Sequence, residues 1–219
     1  MKKNFAAYNL LQMSESCCNV PNPPKDAAQK MAIYVVLGIN MLFFFGEGIA
    51  GILANSSALM ADAVDMGGDA FVYFLSLLAL GKGLAIKSKV AIFNSSFELV
   101  LGVGVLIEVS SKLFREVQPV SVTMLTVGSL ALIANLVSGW ILLSHREKDI
   151  NMKAVWICTR NDIFNNFFTL VAGGLVYLYG SKWPDIVAGF LIAGLIVFFS
   201  AKILREGLVQ LKASRALNP

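Results

Sequence analysis

ADAVDMGGDAFVYF, residues 61–74, sets Asp62, Asp65 and Asp69 in a stretch that otherwise reads as apolar helix, and Leu-Ser-Leu-Leu-Ala-Leu follows at once. An ionised carboxylate is costly in apolar surroundings unless something neutralises it. Whether those surroundings are a protein core or a bilayer decides the fold, and composition answers. Of 219 residues, 57% are hydrophobic and only 15% charged, with a mean hydropathy of +0.70. A soluble domain of this length would leave too much apolar surface in water. The chain is therefore expected to be an integral membrane protein with a single membrane domain.

Crossing a hydrocarbon core of about 30 Å takes about 20 consecutive apolar residues. Such runs fall at 31–53, 58–80, 90–114, 122–143, 154–179 and 186–204, separated by short polar connectors. The period-two alternation of a membrane β-barrel is missing. The expected fold is all-α: a polytopic membrane protein of six transmembrane helices over residues 31–205. Residues 1–30 read as a flexible cytoplasmic segment, too polar and too rich in proline (Pro21, Pro23, Pro24) for a signal peptide. Residues 206–219 read as a short cytoplasmic tail.

Positive charge gives the orientation. Fourteen of the eighteen Lys and Arg residues fall in the N-terminal segment, the second and fourth connectors and the C-terminal end. The other connectors hold only Lys112, Arg115 and Lys182, and Arg160 lies within a span. Cytoplasmic loops carry the excess of Lys and Arg, so both termini are expected in the cytoplasm, with the protein in the inner or plasma membrane.

Asp65 and Asp69 are four residues apart and project from one helix face. Span five, in KAVWICTRNDIFNN (153–166), carries a second pair at the same spacing, Cys158 and Asp162. At a rise of about 1.5 Å per residue, both pairs lie near mid-membrane, so the four side chains can meet there. Three carboxylates and a thiol at that depth need protons or a bound divalent cation as partners. Two pairs on two helices suit a tetrahedral site, and oxygen and sulfur donors are what zinc accepts. The thiolate turns the preference away from magnesium and calcium and makes cadmium the next choice. Helix glue is the bland alternative, but serine, threonine or asparagine would serve it without a charge penalty.

The residues also carry a resemblance. SSALMADAVDMGGDA (56–70) is similar to the second span of the cation diffusion facilitator family, where a His or Asp is followed four residues later by Asp. CTRNDIFNN (158–166) resembles the matching fifth-span motif, commonly His-x-x-x-Asp, and residues 183–208 resemble the sixth span. The likeness covers about residues 31–210. It implies a six-helix exporter that exchanges cytoplasmic divalent metal for protons, usually as a homodimer, with Asp65, Asp69, Cys158 and Asp162 as the transport site. Three features depart from the family pattern. The chain stops soon after span six, where the family usually has a cytoplasmic metal-binding domain, so a short branch without that domain is the nearest likeness. Cys158 stands where His is usual, and the fourth connector has only His145.

Several further polar residues are candidates for the path or for support of the site. Asp62 lies three residues before Asp65, either lining the path or starting the helix. Glu47, Glu98, Glu108 and Asn135 are intramembrane groups that line a route or pack helices. Asn166 is placed to orient Asp162, while Arg160, Asn161 and Asn165 read as lying on other faces. Cys17 and Cys18 are candidates for metal capture at the cytoplasmic entrance. No phosphate-binding loop is present, so ATP is not the direct energy source. A passive cation channel is the alternative, or the same antiporter with cobalt, iron or manganese as main substrate. An enzyme is not expected: a His-Glu-x-x-His motif is missing and His145 is the sole histidine. Neither a cofactor nor a nucleic-acid partner is expected; the partners are metal ions, the lipid bilayer and a second copy of the chain.

Overall fold

The structure is a computed structural model that describes residues 27–78, 84–143 and 150–217. They form six helices: α1 (Ala27–Leu53), α2 (Ser57–Leu78), α3 (Leu84–Leu113), α4 (Ser121–Leu143), α5 (Ile150–Tyr179) and α6 (Trp183–Leu217). No strand occurs among the described residues. The all-α polytopic membrane fold is thus the one the sequence predicts. Among the described residues, four segments are long and apolar enough to span a bilayer by composition alone: Lys30–Leu53, Ala91–Leu113, Ser121–Leu143 and Trp183–Val209. The helices outside that set are α2 and α5, which carry the aspartates. Their polar residues lower the apolar content that the other four retain.

Local chemistry ends the helices where expected. Asn55 (φ 51°) takes the left-handed conformation after α1, and the Ser56 N–H reaches back to the Gly51 carbonyl at 2.9 Å. Gly180 (φ 58°) does the same after α5, its N–H bonding the Val176 carbonyl at 2.9 Å. These are left-handed C-caps, which asparagine and glycine adopt at little steric cost. At the far end of the chain, α6 runs without a break well past Arg205. Good helix formers (Leu211, Lys212, Ala213) continue there with no proline until Pro219.

α2 is the hub of the bundle. It packs on α1, α3, α5 and α6, while the most extensive pairings elsewhere are α3 with α6 and α4 with α5. Three apolar clusters hold these contacts. Ala61 and Val64 of α2 meet Val105 and Val109 of α3 and Ile192 and Ile196 of α6. Ala58 and Leu59 meet Met124 of α4, Ala172 and Val176 of α5 and Ala188 of α6. Val72 and Tyr73 meet Ile33 and Val36 of α1 and Leu142 of α4. Outward faces carry large apolar side chains, among them Phe45, Phe93, Phe164, Phe167 and Phe168, all more than half exposed to the surroundings of the bundle. Such faces suit hydrocarbon and not water. A hub helix is screened from lipid by its neighbours, which is why α2 tolerates three aspartates.

Candidate metal centre

The α2–α5 contact builds the site. Asn165 Nδ2 donates to Asp65 Oδ2 at 2.5 Å, and Asn166 Nδ2 approaches Asp62 Oδ1 at 3.5 Å. These two cross-helix contacts fix an antiparallel register in which Asp65 lies opposite the turn holding Asp162, and Asp69 lies towards residue 158. Asp162 is buried, at 1% exposure, and Asp69 is nearly so. Tyr73, one turn beyond Asp69, donates its hydroxyl to Asp69 Oδ2 at 3.1 Å. Two carboxylates are therefore engaged by neutral donors, an amide and a phenol. Among the described residues, no three His, Cys, Asp or Glu side chains converge closely enough to hold a metal ion. The side chain of Cys158 lies outside the described residues, as do Cys17 and Cys18.

A second wall comes from α3 and α6. Glu98 is buried, accepts Asn94 Nδ2 at 2.7 Å and accepts the Ser200 hydroxyl at 2.8 Å. It is pressed against α2 at Gly68, where an added Cβ would stand only 2.4 Å from Glu98 Oε1. Glycine is required there because a carboxylate held by two hydrogen bonds occupies the space of a side chain. Glu98 thus borders the Asp65–Asp69 segment at Gly68.

Towards the α1–α2 connector, Asp62 and Glu47 are both fully buried and close enough for their charges to interact. Asp62 does not start the helix. That role belongs to Ser56, whose hydroxyl accepts the Leu59 N–H at 3.2 Å, and to Asp185 of α6, which accepts the N–H groups of Ser57 and Ala58. Asn166 does not reach the Asp162 carboxylate. Its amide donates to the Asp162 backbone carbonyl at 2.7 Å and turns its remaining capacity towards Asp62. Asn135 of α4 is fully buried, with neither amide atom hydrogen-bonded. Glu108 belongs to a polar cluster at the end of the bundle, where it accepts the Ser57 hydroxyl at 3.1 Å and pairs with Lys112 at 3.0 Å.

Two polar contacts across helices, at Asn165 and Asp185, were not foreseen in the sequence. Asn165 was expected on another face, yet it stands three residues after Asp162 and so within about 60° of it around the helix. That spacing was the available signal. Asp185 carried none, because its partners at Ser56, Ser57 and Ala58 are distant in sequence.

The hub helix of this membrane bundle and its α5 neighbour thus pair buried carboxylates with amides. The family model described as the cation efflux transmembrane domain matches residues 33–211, and the chain belongs to that family. It is 22% identical over 186 residues to the cadmium, cobalt and zinc/H(+)-K(+) antiporter of Bacillus subtilis, covering 78% of this chain and 60% of that protein. It is 29% identical over 188 residues to zinc transporter ZitB of Pectobacterium atrosepticum, covering 79% and 58%. With the proton-coupled zinc antiporter SLC30A2 of Mus musculus it shares 26% over 219 residues, covering 87% and 59%. The chain thus spans about 60% of the length of these relatives.

Proposed function

We propose that this protein exports divalent transition-metal ions from the cytoplasm in exchange for protons, with zinc as main substrate and cadmium next. Asp65, Asp69, Cys158 and Asp162 take the metal in a tetrahedral set, and protons take its place on the return. The observation that carries this reading is the α2–α5 register, with Asn165 on Asp65 and Asn166 on Asp62. Metal ligands must be deprotonated to bind, so metal entry expels protons and the two cargoes are linked by competition for the same atoms. The names of the relatives, zinc transporter and metal/proton antiporter, support the same substrate class. Both termini lie in the cytoplasm by the distribution of Lys and Arg. Two chains pair through their membrane helices; cross-linking in lipid that yields monomers alone while transport persists would refute the pairing.

The test is reconstitution in liposomes with simultaneous readout of zinc uptake and internal pH. Asp69→Ala and Asp162→Ala are expected to abolish uptake while the proteins remain folded in detergent. Unchanged uptake in either variant overturns the site. Zinc flux without proton movement makes the protein a channel.

A further inference from the structure

Beyond the transport site, the bundle holds a second group of buried oxygens with no hydrogen-bond partner. Both carboxylate oxygens of Glu47, Asp62 Oδ2 and Asn166 Oδ1 make no hydrogen bond, the Thr169 hydroxyl reaches no partner but Asp62, and all four residues are 0% exposed. They come from three helices, α1, α2 and α5. Helix register brings them together. Gly48 packs on Ala63 and Gly51 on Met60, which places Glu47 alongside the α2 turn that holds Asp62. The Glu47 and Asp62 charges interact, the Thr169 side chain lies beside Asp62, and the Asn166 amide faces it.

Buried polar atoms are nearly always satisfied, and unsatisfied ones call for a ligand. Helix packing alone does not explain two buried acids within electrostatic reach of each other, because like charges repel and neutral side chains would pack as well. The missing partner must donate to or coordinate oxygens only, and must carry positive charge. We infer that Glu47 and Asp62, completed by Asn166 and Thr169, form a second site for the divalent cation, one turn beyond Asp65. This rests on the proposed transport function and extends it.

The chemistry gives the second site a distinct task. Asp62 precedes Asp65 by three residues, a rise of about 4.5 Å, so the stations are close enough for an ion to pass between them. The proposed transport site includes a thiolate, whereas the second has oxygen donors alone. Oxygen-only sets hold soft or borderline ions less tightly than sets with sulfur. A cation moving from the first to the second therefore moves from the stronger site to the weaker one, which favours release. Multi-site occupation with weak final binding is how ion paths combine entry with exit.

Cadmium-113 NMR of the full chain in nanodiscs tests the inference, with cadmium binding counted by equilibrium dialysis. Thiolate ligation shifts the cadmium resonance far downfield of an all-oxygen environment, so the two sites report separately. The wild type is expected to show both resonances and to bind two ions per chain. Glu47→Gln with Asp62→Asn should remove the oxygen-type resonance, leave the thiolate-shifted one and reduce binding to one ion. Asp69→Ala should do the reverse, so loss of the proposed transport site is told apart from loss of the second site. A wild type with no oxygen-type resonance overturns the inference, and so does an oxygen-type resonance that survives the double substitution. Should the double variant not fold, Glu47→Gln alone keeps the side-chain shape and must weaken the oxygen-type resonance; an unchanged signal overturns the inference equally.

Discussion

Asp185, in the first turn of α6, accepts the backbone N–H of Ser57 at 2.8 Å, so the start of α2 is capped by a carboxylate 128 residues further along the chain. The same carboxylate accepts the Ser56 hydroxyl at 2.7 Å and the Ala58 N–H at 3.0 Å. Lys112 of α3 lies 3.9 Å away and donates to the Asn55 carbonyl at 2.6 Å. Three helices are thereby fastened at one end of the bundle, on the hub that carries the aspartates. The close approach depends on Gly189, where a Cβ would stand 2.6 Å from that of Ser57.

Replacing Asp185 by alanine strips acceptors from buried donors, while Lys112 keeps its pair with Glu108. A lost cap costs about 1 kcal/mol, and each buried donor left without an acceptor about 1–3 kcal/mol. Asp185→Ala is therefore expected to lower the thermal midpoint in detergent markedly. Asp185→Asn, which keeps one acceptor oxygen, should lower it less. Equal midpoints for the two variants would contradict this account of the cap.

Gly68 faces the Glu98 carboxylate, and Gly68→Ala would force a Cβ into it. Overpacking of this kind costs about 1–3 kcal/mol. The cost should depend on Glu98 being present. In a double-mutant cycle, Gly68→Ala with Glu98→Ala is expected to destabilise by less than the sum of the two single changes. Additive costs would mean that the two positions do not press on each other.

Asn165 positions Asp65 through its amide. Outer partners of metal ligands typically change affinity about 10–100-fold when removed. Asn165→Ala is expected to weaken zinc binding at the site at least about tenfold, measured by titration in nanodiscs, with folding retained. Asn165→Gln, which keeps the donor on a longer arm, should recover part of the loss. Wild-type affinity in the alanine variant would remove Asn165 from the site.

In the proposed site, Cys158 is the ligand expected to set the metal preference. Cadmium gains more from a thiolate than zinc does, relative to an imidazole in the same place. Cys158→His should keep zinc transport and lose relative preference for cadmium, while Cys158→Ala should weaken both. In model peptides a thiol loses its proton at about pH 8.5 and an imidazole at about 6.5. The histidine variant should therefore keep binding metal to lower pH than the wild type. Competition uptake of the two ions across a pH series checks both outcomes; the same cadmium-to-zinc ratio in wild type and Cys158→His would show that the thiol is not a ligand.

The number, type and approximate limits of the helices were legible from the chain alone, because each helix must satisfy its own backbone in an apolar medium and so needs a long apolar run. The pairing of Asp65 with Asp69 on one face, and of Cys158 with Asp162, was legible for a similar reason: helix periodicity is a local property, set by 3.6 residues per turn. Which faces meet was not. Asn165 on Asp65, Glu98 against Gly68, Glu47 beside Asp62 and Asp185 over the start of α2 are contacts between segments far apart in sequence. Their geometry follows from how the helices rotate and slide when they pack, and a small residue such as Gly68 or Gly189 shifts that balance as much as a charge does. The sequence by itself determined an all-α membrane chain of six helices, with polar residues spaced four apart on the second and fifth. Only the tertiary structure decided that α2 is the hub, with amides, acids and a cap drawn around it, because helix docking is fixed by side-chain shape across the interface and not by the order of residues along either helix.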